Sequence, residues 1–440
     1  MASRRYTSWG LYPRGGQDAV RPNWRHLPLP LADGEARTLL PYGNGRSYGD
    51  SCLNHGGLLL DMRRLDRFID FDAATGMLTC EAGVLLADIL DLVVPRGWML
   101  PVVPGTKFIT VGGAIANDVH GKNHHRRGTF GCHVERFELL RSDGRRLLCS
   151  REQNPDWFRH TIGGLGLTGV ILWCEIKLQP RSGPNLLREV IRFGNIDEFL
   201  TLSRDSDRDY EYSVAWIDAT ATGSALGRGL FERCNPVDGA DPARLTRRPM
   251  FRFNVPCALP FSPMMPFLVR SFNAVYHLNR GRRLISAVQH FDQVLFPLDG
   301  IENWNRLYGR RGFLQHQSVV PDRDGAPTVR ELLVRVAGAG CGSFLAVLKS
   351  FGNVTSPGTL SFPRPGITLA LDFPYRGRRT LALLDELDSI VVAAGGAVYP
   401  AKDARMSADS FRQFFPQWHG FRDYVDERFS SGFWRRVSAS

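Results

Sequence analysis

The chain has 440 residues, 43% of them hydrophobic and 22% charged, an ordinary globular composition long enough for two domains with separate cores. Its formal net charge of +11 implies attraction to something anionic: nucleic acid, an anionic lipid surface or a phosphorylated substrate. Eight cysteines, none in a CxxC or CxxxC pair, argue against a zinc ribbon or a disulfide scaffold and suit a reducing compartment.

In chain order, "MASRRYTSWGLYPRGG" carries charge with no apolar run behind it, so it reads as neither a secretory signal nor a membrane span. "GLLLDM" is a predicted strand, and "FIDFDAATGMLTCEAG" reads as two strands joined by a glycine-containing turn. Leu85 to Val94 is a predicted helix with Leu85, Ile89, Leu92 and Val93 on one face, stopped by Pro95 and Gly97. "HVERFELLRSDGRRLLCS" predicts a hairpin turning at Asp143-Gly144. From about Gly183, "EYSVAWIDA", "GFLQHQSVVP", "SFLAVLKSFG" and "GITLALDFP" alternate with period two, which predicts a large antiparallel sheet with helices on one face. The longest apolar stretch, Ala258 to Val269, is cut by Pro260, Pro263 and Pro266 and cannot be a regular transmembrane helix. After a helix in "TLALLDELDSIVVAAGG", the closing "AVYPAKDARMSADSFRQFFPQW" is too short for a core of its own and is expected to pack back onto an earlier part. The expected class is α+β, in three parts: 1–182, 183–396, and a tail, 397–440.

Three glycine clusters compete to hold a ligand. "GGLGLTG" contains G-x-G-x-x-G at Gly164, Gly166 and Gly169, but a helical pattern precedes it and a strand follows, the reverse of a dinucleotide fingerprint. "PYGNGRSYGDSCLN" pairs Gly43, Gly45 and Gly49 with Arg46, Ser47, Tyr48 and Ser51, so converging N–H groups and side-chain donors can hold an anion; a plain surface turn is the competing reading. "PVVPGTKFITVGGAIANDVHGKNHH" places small residues at Gly112, Gly113, Ala114 and Ala116, where backbone can approach a flat ligand. Its histidines, His120, His124 and His125, lack the partners of a zinc site, and no HExxH is present, so no metal is expected. His124, His125, Arg126 and Arg127 read as a solvated basic loop.

The combination of "GNGRSYGD", "PGTKFITVGGAIANDVHGKNHH", "GGLGLTGVI" and "YPAKDAR", with "WNRLYGRRGFLQHQ", "SFLAVLKSFG" and "SFPRPG", resembles flavoproteins of the vanillyl-alcohol-oxidase fold, over nearly the whole chain. The resemblance is strongest to the branch that oxidises polyprenylphosphoryl pentoses. It implies an FAD-binding domain at 1–182, a substrate domain at 183–396, and a tail returning to the FAD domain. By resemblance, Gly43, Asn44, Gly45, Arg46, Ser47, Tyr48, Gly49, Asp50 and Ser51 surround the pyrophosphate. Gly105, Thr106, Thr110, Val111, Gly112, Gly113, Asn117, His120, Ile171 and Tyr399 line the rest of the dinucleotide. Relatives that tether their flavin carry His where this chain has Arg46, so non-covalent FAD is expected.

Alcohol oxidation sends a hydride to the flavin and needs a base for the hydroxyl proton. Lys402 is the first candidate and His120 its partner, with their roles exchangeable; a structural pairing of Lys402 with Asp403 or with a flavin carbonyl is the alternative. Lys122, Lys349, Gln315 and Gln317 are implied to orient the sugar and its phosphate, with Trp216 and Phe351 as pocket walls. Ala370, Thr368 and Leu295 depart from the branch's pattern on the substrate side.

The implied reaction is oxidation of the 2-hydroxyl of a polyprenylphosphoryl pentose to a keto sugar, which a short-chain reductase partner would take on toward an arabinose donor for cell-wall arabinan. An aldonolactone oxidase and a non-catalytic flavin- or lipid-binding protein are the alternatives. No Asp or Glu occurs between Arg244 and His290, while Arg244, Arg247, Arg248, Arg252, Arg270, Arg280, Arg282 and Arg283 flank "MFRFNVPCALPFSPMMPF". This suits either a peripheral membrane contact or an ordinary solvated loop. A nucleic-acid partner is not expected, for want of a recognisable module. The expected location is the cytoplasm, at the inner face of the membrane if the arginines meet lipid.

Overall fold

The computed structural model describes residues 6–29, 37–237, 253–259, 262, 264–278 and 284–439. Of the Arg-rich segment, Arg270 lies within these; Arg244, Arg247, Arg248, Arg252, Arg280, Arg282 and Arg283 lie outside them.

The first part of the chain builds two sheets. Asp18–Val20, Leu58–Asp61 and Leu39–Tyr42 pair in parallel, in that order. Phe68–Asp72, Met77–Glu81, Val170–Lys177, Val134–Leu140 and Arg146–Ser150 form a five-stranded antiparallel sheet. The Asp143-Gly144 turn joins the last pair, with Gly144 at φ 85°, a conformation that glycine adopts without strain. Helix Leu86–Val93 buries Leu86, Ile89, Leu90 and Val93, the i, i+3, i+4, i+7 stripe, against this sheet's core. That stripe is rotated from the predicted one, and Leu92 is only partly buried.

The second part is an eight-stranded sheet in the order Leu284–His290, Asn185–Phe193, Gly229–Pro236, Tyr212–Ile217, Ala346–Phe351, Gly366–Pro374, Phe313–Val320, Ala397–Val398, with antiparallel neighbours throughout. Its two faces carry different chemistry because strand side chains alternate. Ala215, Ile217, Phe231, Leu348, Leu369, Leu371 and Phe373 pack into one core with Phe199, Val329, Leu332, Val336, Leu383 and Leu387. The latter come from helices Ile196–Asp207, Asp322–Gly338 and Arg378–Ala393, which cover that face. The intervening residues point the other way, toward the first part of the chain.

The strand Ala397–Val398 ends the sheet, and the tail after it crosses to the first part. Tyr48 N–H donates to Ala401 O at 2.9 Å, Leu39 N–H to Arg428 O at 2.6 Å, and Ser430 N–H to Leu39 O at 2.9 Å. Arg436, on the last helix, Gly432–Ser438, bridges Asp50 at 2.7 Å and Asp403 at 3.1 Å. The N-terminal segment is a second strap: Trp9 N–H donates to Ser47 O, and Phe313 N–H to Gly10 O, each at 2.8 Å. No helix among the described residues is long and apolar enough to cross a membrane.

Candidate active site

A cavity of about 740 Å³ lies between the two parts of the chain. One wall is mostly backbone. It comprises Gly43, Asn44, Gly45, Arg46, Ser47, Tyr48 and Ser51 from the loop after Leu39–Tyr42, then Gly105 and Thr106, and then Thr110, Gly112, Gly113 and Asn117 around helix Val111–Ala116. Thr110 caps that helix by accepting from Gly113 N–H at 3.2 Å. A Cβ on Gly105 would meet no protein atom within 4 Å, so its α-carbon faces open space. Ile171, Leu165, Gly166 and Gly169 complete this side. The G-x-G-x-x-G stretch therefore reaches the cavity, although it follows helix Pro155–Thr161 and leads into strand Val170–Lys177.

Arg46 holds its guanidinium 4.0 Å above the ring of Trp9. Its Nε and the Ser51 hydroxyl are buried with no partner in the protein. Burial lowers the guanidinium's pKa, against the opposing pull of Asp299. Two orphaned polar atoms beside a close-approach backbone fit the phosphates of a dinucleotide.

The opposite wall is built of side chains from the open face of the large sheet: Arg188 and Val190; Val214 and Trp216; Leu230 and Glu232; Gln315 and Gln317; Val347 and Lys349; Thr368, Ala370 and Asp372. Register brings residues of different strands together, since Gln315 lies opposite Asp372, and Lys349 opposite Thr368.

Lys402 enters from the tail. Its Nζ sits 3.6 Å from the centroid of the Tyr48 ring and lines the cavity. Burial pulls its pKa down to about 7, with the charge of Asp372 pulling back. Asp403 does not pair with it: that carboxylate accepts from Arg405 N–H and Met406 N–H and meets Arg436. Tyr399 donates its hydroxyl to Asn117 O at 2.7 Å and stacks on Phe362 at 4.7 Å.

His120 lies between Lys349, 2.9 Å from Nδ1, and Gln317, 3.0 Å from Nε2. Burial, then the charge of Lys349, depresses its pKa well below the usual imidazole range, so the ring is neutral. Lys349 is pulled to about 7 by burial and by Lys122 and Lys402. A neutral ring has one N–H, so either Lys349 is a free amine accepting it or the Gln317 amide presents its oxygen. At the cavity's far end Lys122 donates to Glu232 at 2.9 Å and to Val294 O at 2.6 Å, while Arg188 Nε donates to Glu232 at 2.6 Å.

Four expected residues are not in the lining. Gly49 is pressed against the tail, where a Cβ would fall 1.9 Å from Asp403 O. Asp50 is paired with Arg436. Val111 points into the core. Phe351 is behind the site, its ring 4.8 Å from His120. The solvated-loop reading holds for Arg126 and Arg127, which are exposed, and is corrected for His124 and in part for His125. These residues form a helical turn in which His124 is buried against Phe351 at 4.5 Å, burial lowering its pKa to about 3. Arg127 Nε donates to Glu211 at 2.9 Å, and His125 meets Tyr210 O at 2.9 Å. Sequence reasoning missed Trp9, Arg188, Glu232, Asp299 and Asp372. Period-two alternation around Gln315 and Gln317 was the signal for the sheet residues, but it needed the register of the neighbouring strands. Among the described residues no group of three or more His, Cys, Asp or Glu could hold a metal ion.

Residues 29–150 match the family model described as FAD binding domain. The chain is 36% identical over 411 residues to decaprenylphosphoryl-beta-D-ribose oxidase of Mycolicibacterium smegmatis, covering 90% of this chain and 87% of that one. It is 30% identical over 182 residues to L-gulonolactone oxidase of Mus musculus, 40% of each chain. It is 29% identical over 215 residues to cytokinin dehydrogenase 6 of Oryza sativa subsp. japonica, 44% of this chain and 38% of that one.

Proposed function

The chain belongs to the family of FAD-dependent oxidoreductases that includes decaprenylphosphoryl-beta-D-ribose oxidase, and from that premise we propose that it oxidises the 2-hydroxyl of a polyprenylphosphoryl pentose to a keto sugar. One observation carries the choice of substrate. The lining that holds Lys402 and His120 also holds the cations Lys122 and Arg188, both paired with Glu232, and the apolar side chains Val190, Val214, Trp216, Leu230, Tyr276 and Leu295. A sugar, an anionic link and a hydrocarbon chain would each find a counterpart in base, cations and apolar wall; a soluble lactone uses only the first.

FAD, when bound, supplies the hydride acceptor. Arg46, Ser51 and the backbone from Gly43 to Ser47 would hold its phosphates, and Arg46 leaves it untethered. Lys402, as the free amine, takes the hydroxyl proton: the substrate O–H bond breaks as an N–H bond forms on Nζ, and the C–H electron pair departs as hydride. Neutral His120, held by Lys349 and Gln317, orients the sugar. The keto sugar is then reduced by a short-chain dehydrogenase/reductase partner, completing an epimerisation toward an arabinose donor.

Helix Pro266–Leu278 presents Phe267, Phe272, Val275 and Leu278 to the outside, while Tyr276 lines the cavity and packs on Trp216 at 4.7 Å. With Arg270 on the same helix, this surface supports a peripheral contact with the inner membrane face, where a polyprenyl substrate resides. Anaerobic titration of the flavin absorbance with polyprenylphosphoryl ribose, beside a panel of aldonolactones, tests the reading. Bleaching by the lipid-linked sugar alone is expected; bleaching by a lactone alone overturns it.

A further inference from the structure

Among the described residues many buried carboxylates are neutralised by guanidinium groups. Asp61 has Arg21 and Arg63, Glu81 has Arg25 and Arg67, Asp388 has Arg405, and Asp50 and Asp403 share Arg436. Asp372 is fully buried and, like Asp118, has no guanidinium against it; Asp118 accepts from Gly131 N–H, Ser356 and Ser361 outside the cavity lining, whereas Asp372 is in that lining. Its hydrogen bonds come from neutral donors, Gln315 Nε2 to Oδ1 at 2.5 Å and the Tyr308 hydroxyl to Oδ2 at 3.3 Å. An anion left without a cation in direct contact is costly to bury, and where it also faces a cavity with a lysine its charge can act on that lysine.

What the charge faces is also on view. Asp372 lines the cavity that Lys402 lines. Lys402 rests on the face of Tyr48, whose ring packs against Phe313 at 5.4 Å; Phe313 in turn stacks on Tyr308 at 4.3 Å. Lysine and carboxylate therefore each touch one aromatic cluster, the ammonium over Tyr48 and the carboxylate accepting from Tyr308, and the charge of each acts on the other. The titratable groups around Asp372 are Tyr308, Tyr48 and Lys402. Both tyrosines are held protonated by burial, so Lys402 is the group whose charge state answers to Asp372.

We infer that Asp372 is a positioning residue for the reaction: its carboxylate, oriented by Gln315 and Tyr308, stabilises the ammonium that Lys402 becomes on taking the substrate's hydroxyl proton. The inference rests on the reading of Lys402 as the base. The carboxylate neither gains nor loses a proton in the step. It makes Lys402 a stronger base than burial alone would allow. Burial raises the Asp372 pKa and lowers that of Lys402, and each charge opposes that effect on the other, so the ammonium and the carboxylate favour one another.

The test is the pH midpoint of Lys402 in the FAD-loaded protein, read in two ways. Limited acetylation with acetic anhydride, followed by mass spectrometry of the Lys402 peptide, reports the free amine and needs no substrate. Stopped-flow flavin reduction by polyprenylphosphoryl ribose reports the same group in action. In wild type both rise through about pH 7. Asp372→Asn keeps the shape and removes the charge; the acetylation midpoint is expected to fall by about one unit or more. The plateau rate of reduction is expected to fall about tenfold with little change in KM. Tyr308→Phe strips one donor from the carboxylate and should shift the midpoint the same way by less, and it decides the matter alone if Asp372→Asn loses FAD. An acetylation midpoint unmoved in the variant that retains FAD overturns the inference, whatever happens to the rate. If wild type is not reduced by the lipid-linked sugar but the midpoint still moves, the coupling stands and the substrate reading falls.

Discussion

The two walls of the cavity present their chemistry by different means. The first wall comes from contiguous loops, Gly43 to Ser51 and Gly105 to Asn117, and works largely through backbone and absent side chains. The second wall collects Arg188, Trp216, Glu232, Gln315, Lys349 and Asp372 from six strands far apart in sequence, and works through side chains. Lys402 belongs to neither: the tail carries it between them, held by the Tyr48 to Ala401 hydrogen bond and the Arg436 clamp. Cofactor binding is thus a property of local segments, whereas the proton chemistry depends on how the two parts are joined. The teaching of this contrast is that the walls should fail separately when altered.

The largest effect is expected at the joint. Lys402→Ala should retain FAD, seen as the visible flavin spectrum, yet slow flavin reduction by the natural substrate about 10²–10⁴-fold; undiminished reduction would remove Lys402 as the base. Next is Gly49→Ala. Its methyl would fall 1.9 Å from Asp403 O, backbone that cannot yield without moving the tail. Destabilisation of about 1–3 kcal/mol is expected by denaturant unfolding, with weaker FAD retention; an unchanged midpoint would mean that the tail is not seated there. The smallest effect on the fold is expected at Gly105→Ala, where the added methyl meets open cavity. Apoprotein stability should stay within about 0.5 kcal/mol of wild type while FAD affinity falls; equal FAD affinity would show that the dinucleotide does not pass Gly105.

The same contrast explains what could be read early. The glycine loops were legible because a backbone wall is written in consecutive residues: "GNGRSYGDS" brings seven of its nine expected residues to the cavity, and the exceptions, Gly49 and Asp50, are those that the tail claims. Alternation in "GFLQHQSVVP" correctly placed Gln315 and Gln317 on one face, and both line the cavity. Phe351 went wrong for a related reason. It lies two residues beyond Lys349 in "AVLKSF", where a strand pattern cannot say that the strand is ending and the ring turning in behind His120. His124 looked like solvated charge because three basic neighbours surround it in sequence, but the helical turn puts it inward against Phe351.

The sequence by itself determined most of the elements and the α+β class, because turns, caps and period-two or helical stripes are local consequences of residue type; the loops expected to hold flavin came from resemblance. Only the tertiary structure decided which side chains share the cavity: that Gln315 faces Asp372, that Lys349 reaches His120, and that Arg436 rather than Lys402 answers Asp403. Strand register and the docking of the tail fix those neighbours, and both are settled by the burial of surfaces hundreds of residues apart, which no stretch of sequence encodes alone.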